Sequence, residues 1–165
     1  MSKRAIDLAE RFKAFNNELI GFVMNCSDEN WRKVCPGEQW PVGVVARHIA
    51  ASHYGALGLA KMMVAGEKLP ELTGGVIDQL NSKHAEKHRH CTRDEVLKAL
   101  RENGASVADY VAGLSDDDLD RSGHIPAAGG DMTTEHLIAN LIIRAGGEHF
   151  ANAKAATARI GPPGR

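Results

Sequence analysis

The chain has 165 residues, about the length of one domain, and can bury a sizeable core without disulfides or a structural metal. Lys and Arg number 20 against 21 Asp and Glu, a net charge of −1, so the basic excess of a nucleic-acid-binding module is missing and no nucleic-acid partner is expected. Hydrophobic residues at 43% and charged residues at 25% are ordinary for a globular domain and exclude whole-chain disorder.

The three cysteines, Cys26, Cys35 and Cys91, include no C-x-x-C, so neither a disulfide framework nor zinc-finger spacing is readable. A reducing, cytoplasmic setting is the expectation. The N-terminus, MSKRAIDLAERFK, reads as a charged helix rather than a signal peptide. No run approaches 18 uncharged apolar residues, so no membrane span is expected.

Periodicity predicts a first helix from about Ser2 to Asn25, with Ile6, Ala9, Phe12, Leu19 and Val23 recurring at three- and four-residue steps. Asp28 to Lys33 reads as one or two further turns before Pro36-Gly37. A second helix starts near Pro41, where proline suits the first turn, and ends near Gly66. Val44, Val45, His48, Ile49, Ala56, Leu59 and Met63 form its inner stripe, and Ser52 falls on it. Residues 67 to 75 read as a loop. A third helix follows in two pieces, about Val76 to His90 and then Thr92 to about Leu114, the second opened by a Thr92-x-x-Glu95 capping box. After a short turn at Ser115 to Asp118, residues 121 to 132 read as a glycine-rich loop. The last helix runs from about Thr133 to Arg159, with Leu137, Ile138, Leu141, Ile142, Ala145 and His149 on one face; Gly161-Pro162-Pro163-Gly164 stops it, leaving a tail at 160 to 165. Four long helices in one domain, 1 to 165, predict an all-α, antiparallel four-helix bundle. No segment alternates cleanly with period two, so a central sheet is not expected. Gly146-Gly147 inside the last helix implies a close backbone approach, a bend, or room for a ligand.

Any chemistry rests on the eight histidines. His48 and His149 lie on the buried stripes of the second and last helices. Bundle metal sites are built from such inward side chains on facing helices, although two hydrogen-bonded core histidines would give the same pattern. His53, five residues after His48, falls off its face. His84 and His88 are an i, i+4 pair on one face. Lys83, Lys87 and Arg89 around them favour a solvated face over a pocket-facing one. His124 falls in a loop and His136 in the first turn of the last helix. The G-x-G-x-x-G, Walker A, H-E-x-x-H and G-x-S-x-G motifs are absent. Cys35 has no activating neighbour and reads as structural or incidental. The Asp116 to Asp120 run lacks calcium-loop spacing.

The order and spacing of four stretches carry a resemblance. They are Trp40-Pro41-Val42-Gly43-Val44-Val45-Ala46-Arg47-His48-Ile49-Ala50, Ile77-Asp78-Gln79-Leu80-Asn81, Leu114-Ser115-Asp116-Asp117-Asp118-Leu119-Asp120, and the last helix through His149-Phe150-Ala151-Asn152. Over nearly the whole chain the sequence resembles the DinB-like superfamily of four-helix bundles, which includes bacterial thiol-dependent transferases. The resemblance implies a long crossover connection, a homodimer, and a metal site built from one histidine on the second helix and an H-x-x-x-H pair on the last. His48 maps to the first ligand and His149 to the second residue of the pair. The first residue of that pair maps to Ala145, which cannot ligate. His84 or His88 would then replace the missing ligand, with Asn81 along the same wall and His53 the remaining candidate. Arg144 would offer a charge to an anionic substrate. The implied function is a metal-dependent transferase or hydrolase acting on a small substrate, including a thiol-conjugated one. Zinc, nickel or iron is the metal and a low-molecular-weight thiol the co-substrate. The Ala145 departure supports the alternative, a metal-free bundle that binds a small ligand.

Overall fold

In the computed structural model, which describes residues 1–158, helix α1 spans Lys3–Asn25. Ser2 caps it, its hydroxyl accepting from the Ala5 N–H at 3.1 Å, which satisfies one of the donors a helix start leaves open. Helix α2, Asp28–Arg32, buries Trp31. Strands β1, Val34–Cys35, and β2, Trp40–Pro41, pair antiparallel around a turn in which Gln39 takes a φ of 60°. The second rod begins as α3, Val42–His48, widens into a π-helical turn at Ile49–His53 and resumes as α4, Leu57–Ala65. Gly66 ends it at φ 72°, a left-handed conformation that glycine adopts without penalty. Helix α5, Gly74–Lys87, follows, then α6, Arg93–Ala112, which opens on the expected Thr92/Glu95 capping box. After α7, Asp116–Asp120, comes a hairpin of β3, Ser122–Ile125, and β4, Gly130–Thr133. The last rod joins α8, Thr134–Leu137, a second π-helical segment at Ile138–Arg144, and α9, Ala145–Thr157. The end of the last helix at Arg159 and its Gly-Pro-Pro-Gly stop lie outside the described residues.

The four-helix bundle is formed by α1, α3–α4, α6 and α8–α9. Asn16 of α1 lies against Leu100 while Ser2 reaches Asp116, so α1 and α6 run antiparallel. His48 lies against His149 and His53 against Leu141, so the α3–α4 and α8–α9 rods are antiparallel too. Cys91 contacts Gly43 and Asn103 contacts Ala50, which makes α3–α4 and α6 parallel neighbours. Joining them takes the long crossover, residues 66 to 92. Between α1 and the last rod, Phe22 stacks edge-on against Phe150, ring centroids 5.4 Å apart. No helix among the described residues is long and apolar enough to cross a membrane.

Two expectations change. Residues 121 to 132 are mostly a hairpin rather than a loop, its turn made by Gly129 and Gly130 at φ 96° and 107°. The first piece of the third helix is not a bundle member, because α5 has no buried residue and lies across α3 as a cover. Its only large apolar groups, Val76, Ile77 and Leu80, cannot complete a core stripe among Asp78, Lys83, Glu86 and Lys87.

Candidate metal centre

The site begins with the first π turn. On an ideal α-helix two residues five apart point about 140° away from each other. Here the Tyr54 N–H reaches back five residues to the Ile49 carbonyl, and the widened turn carries His53 round beside His48. Their ring centroids are 4.8 Å apart. The expectation that His53 lies off the face of His48 is therefore corrected by one local change of helix type. His149 enters from α9 on the facing rod, its ring centroid 5.0 Å from those of both His48 and His53. One nitrogen from each of the three histidines lies within 4.8 Å of the other two, close enough for small side-chain rotations to bring all three onto one ion.

Neighbours fix the rings. His53 Nδ1 lies 2.6 Å from the Leu141 carbonyl, to which it donates, and its Nε2 is left buried with no partner. His149 Nδ1 lies 3.4 Å from Glu38 Oε2, and the Glu38 side chain is only 6% exposed. Asn152 Nδ2 donates to the other oxygen of Glu38 at 2.8 Å, so the carboxylate is held from α9 on both sides. This is the outer-shell pattern that orients a ligating imidazole and raises its basicity. His48 Nδ1 is likewise buried without a partner. Glu38 sits in the β1–β2 turn, where sequence spacing carries no sign of its role.

Burial, then neighbouring His53, His149 and His84, pushes His48 down to about 3. Burial also lowers His53. Both rings are neutral at pH 7 with a lone pair free, the state a metal requires. The same shifts make the metal-free fold acid-sensitive. The unfolded chain binds protons on these histidines from about pH 6.5 downward, while folded His48 refuses them until about pH 3. Stability is full above pH 6.5 and falls as the pH drops, by at most about 1.4 kcal/mol per pH unit for each such group. Urea unfolding between pH 7 and pH 4 checks this. A stability constant over that range would contradict it.

Above the triad lies a cavity of about 630 Å³, within the usual range for a small-molecule site. Its walls are largely apolar, with Leu59, Leu72, Ile77, Leu80, Ile125 and Leu141 among the lining residues, and Asn81 adds an amide. Ile77, Leu80 and Asn81 come from α5, so the crossover helix roofs the site.

Residues 11–143 match the DinB superfamily. The chain belongs to that superfamily. The matched stretch contains His48 and His53 and stops short of His149. The chain is also similar in fold to YfiT from Bacillus subtilis, described as a probable metal-dependent hydrolase with an unusual four-helix bundle topology. The TM-score is 0.78 at 18% identity, over 95% of this chain and 88% of that one. No curated protein sequence matches the chain.

In this DinB-superfamily protein the other expected site residues take different places. Asn81 lines the cavity. His84 and His88 stand behind His48 and outside the cluster of His48, His53 and His149. The His84 ring is 5.6 Å from that of His48 and 4.8 Å from that of His88, and both His84 nitrogens are buried without partners. The solvated reading of this pair is thus overturned for His84, and among the described residues it is His53, not His84 or His88, that clusters with His48 and His149. Arg144 is no cavity residue. Its side chain is 72% exposed and pairs with Glu148 at 3.5 Å, because its place in the second π segment turns it to solvent. Ser52, expected on the inner stripe, is exposed at the cavity rim, displaced by the same π turn that brings in His53. Gly146 marks a close approach, since a Cβ there would lie 3.2 Å from Phe15. Cys35 is fully buried and burial pushes its thiol up to about 11, the state of an inert structural cysteine.

Proposed function

We propose that this protein is a metal-dependent hydrolase in which His48, His53 and His149 hold one divalent ion: zinc, nickel or iron. The observation that carries this reading is the buried, unpartnered Nε2 of His53, a ring bound through Nδ1 to the Leu141 carbonyl and packed against His48 and against His149, which Glu38 orients. Three protein nitrogens with an open fourth position are the donor set of a catalytic site rather than a structural one. A metal bound there supplies Lewis acidity and lowers the pKa of a coordinated water to near neutrality. The chain's own residues do the rest. Glu38 and the Leu141 carbonyl hold the two ligand rings in one tautomer. The apolar walls take the body of a small substrate and exclude bulk water, and Asn81 offers a donor and an acceptor to orient it. A thiol taking the place of water would make the same site a transferase. The likeness to YfiT supports the hydrolytic arm.

Replacing Glu38 by glutamine leaves His149 with a neutral acceptor. We expect metal affinity to fall about 10- to 100-fold. Competition with a chelating dye reads this, and unchanged affinity would remove Glu38 from the site. The function itself is tested by loading the untagged protein with zinc, nickel or iron. Small esters, amides and thiol conjugates are then offered with and without added thiol. Turnover that chelation and His53→Ala both abolish supports the reading. Turnover indifferent to both, or none with any metal, contradicts it and leaves the metal-free ligand binder.

A further inference from the structure

Arg47, next to His48 on α3, makes no hydrogen bond or ion pair among the described residues, and its Nη1 is buried without a partner. Facing it, α5 presents His84 and His88 with rings 4.8 Å apart, and both nitrogens of His84 are also buried and unpartnered. Buried donors are almost always answered, so the orphaned Arg47 Nη1 and the unpartnered N–H of His84 point to an absent acceptor. Glu95 and Glu102 line the same groove, and each has a partner of its own. Glu95 accepts from the Thr92 N–H in the capping box, and Glu102 lies 3.9 Å from Lys98. Lys87 has no ion-pair partner among the described residues and, with Arg47 and His88, lines a groove of about 680 Å³ on this side of α5. Each ring carries an N–H to donate in either protonation state.

We propose that Arg47, His84 and His88 form an oxyanion subsite that binds a carboxylate or phosphate in this groove, on a side of α3 separate from the cavity over the triad. A guanidinium fork is the side chain best shaped for either group, and imidazole N–H groups complete the cradle. His84 stands between this groove and the histidine triad, its ring 5.6 Å from that of His48. The binding of the anion does not rest on the metal-centre reading.

The test follows histidine side-chain ¹H–¹⁵N signals of the untagged full-length protein, metal-free and zinc-loaded, at pH 7. Inorganic phosphate and acetate are titrated separately. Saturable shifts of His84 and His88 are expected in both forms. Arg47→Gln should weaken binding at least tenfold while the melting temperature shows the variant folded. Arg47→Lys keeps the charge but not the fork, should weaken it less, and serves if Arg47→Gln does not fold. Tighter phosphate binding assigns a phosphorylated ligand, and tighter acetate binding a carboxylate. Absence of saturation by either anion, or equal affinity in the Arg47 variants, overturns the subsite. Failure of the metal centre would show separately, as a protein that takes up no zinc yet still binds the anion.

Discussion

His53→Ala should lower metal affinity by at least about 100-fold, more than loss of an outer-shell partner costs. The fold should survive, because the side chain is part-buried and its one strong bond is to a backbone carbonyl. The expected signature is therefore split. Metal-free wild type and variant should melt within a few degrees of each other. The stabilisation that zinc gives the wild type, about 2.7 kcal/mol at a concentration 100 times its dissociation constant, should vanish in the variant. Paired melting curves with and without zinc read both parts. Equal stabilisation of the two proteins would mean that another side chain, His84 foremost, completes the site.

The second large effect concerns the frame that aims α3. A Cβ on Gly43 would lie 2.5 Å from Trp31 Cε2 and 2.6 Å from its Nε1, closer than any side chain tolerates. Trp31 cannot simply retreat, because its indole N–H donates to the Cys91 carbonyl at 3.0 Å, and the Cys91 thiol contacts the Gly43 carbonyl at 3.3 Å. Gly43→Ala should cost about 3 kcal/mol, overpacking together with a stranded indole donor. For a chain of this length that is a drop of roughly 6 to 12 °C in melting temperature. Because α3 carries Arg47 and His48, metal affinity should fall with it. A variant as stable as wild type would show that Trp31 repacks freely and that α2 does not brace the site.

What the sequence conveys depends on whether the signal is periodic. His48 and His149 are legible because each repeats a 3.6-residue apolar stripe on a regular helix, and the bundle follows from the same stripes. His53 is illegible by that rule. Its place depends on a π turn, and nothing in Ile49-Ala50-Ala51-Ser52-His53 announces one. The departure at Ala145 therefore reads from the sequence as a lost ligand, while the structure brings His53 to the site from the other rod. Glu38 is a three-dimensional partner, 111 residues from His149, contributed by a tight turn. Helix α5 is legible as a helix, but its cover role is not, since Ile77, Leu80 and His84 resemble a weak core stripe as much as the roof of a cavity. The Gly129-Gly130 pair is a recognisable hairpin signal, yet four-residue strands are too short to show their alternation.

Whether His48, His53 and His149 hold metal is read by elemental mass spectrometry of untagged protein, purified without chelators and after reconstitution with zinc, nickel and iron in turn, alongside His53→Ala. Close to one metal per chain is expected in the wild type and a small fraction of that in the variant. A wild type that takes up no metal, or a variant that keeps the full complement, would rule the metal centre out.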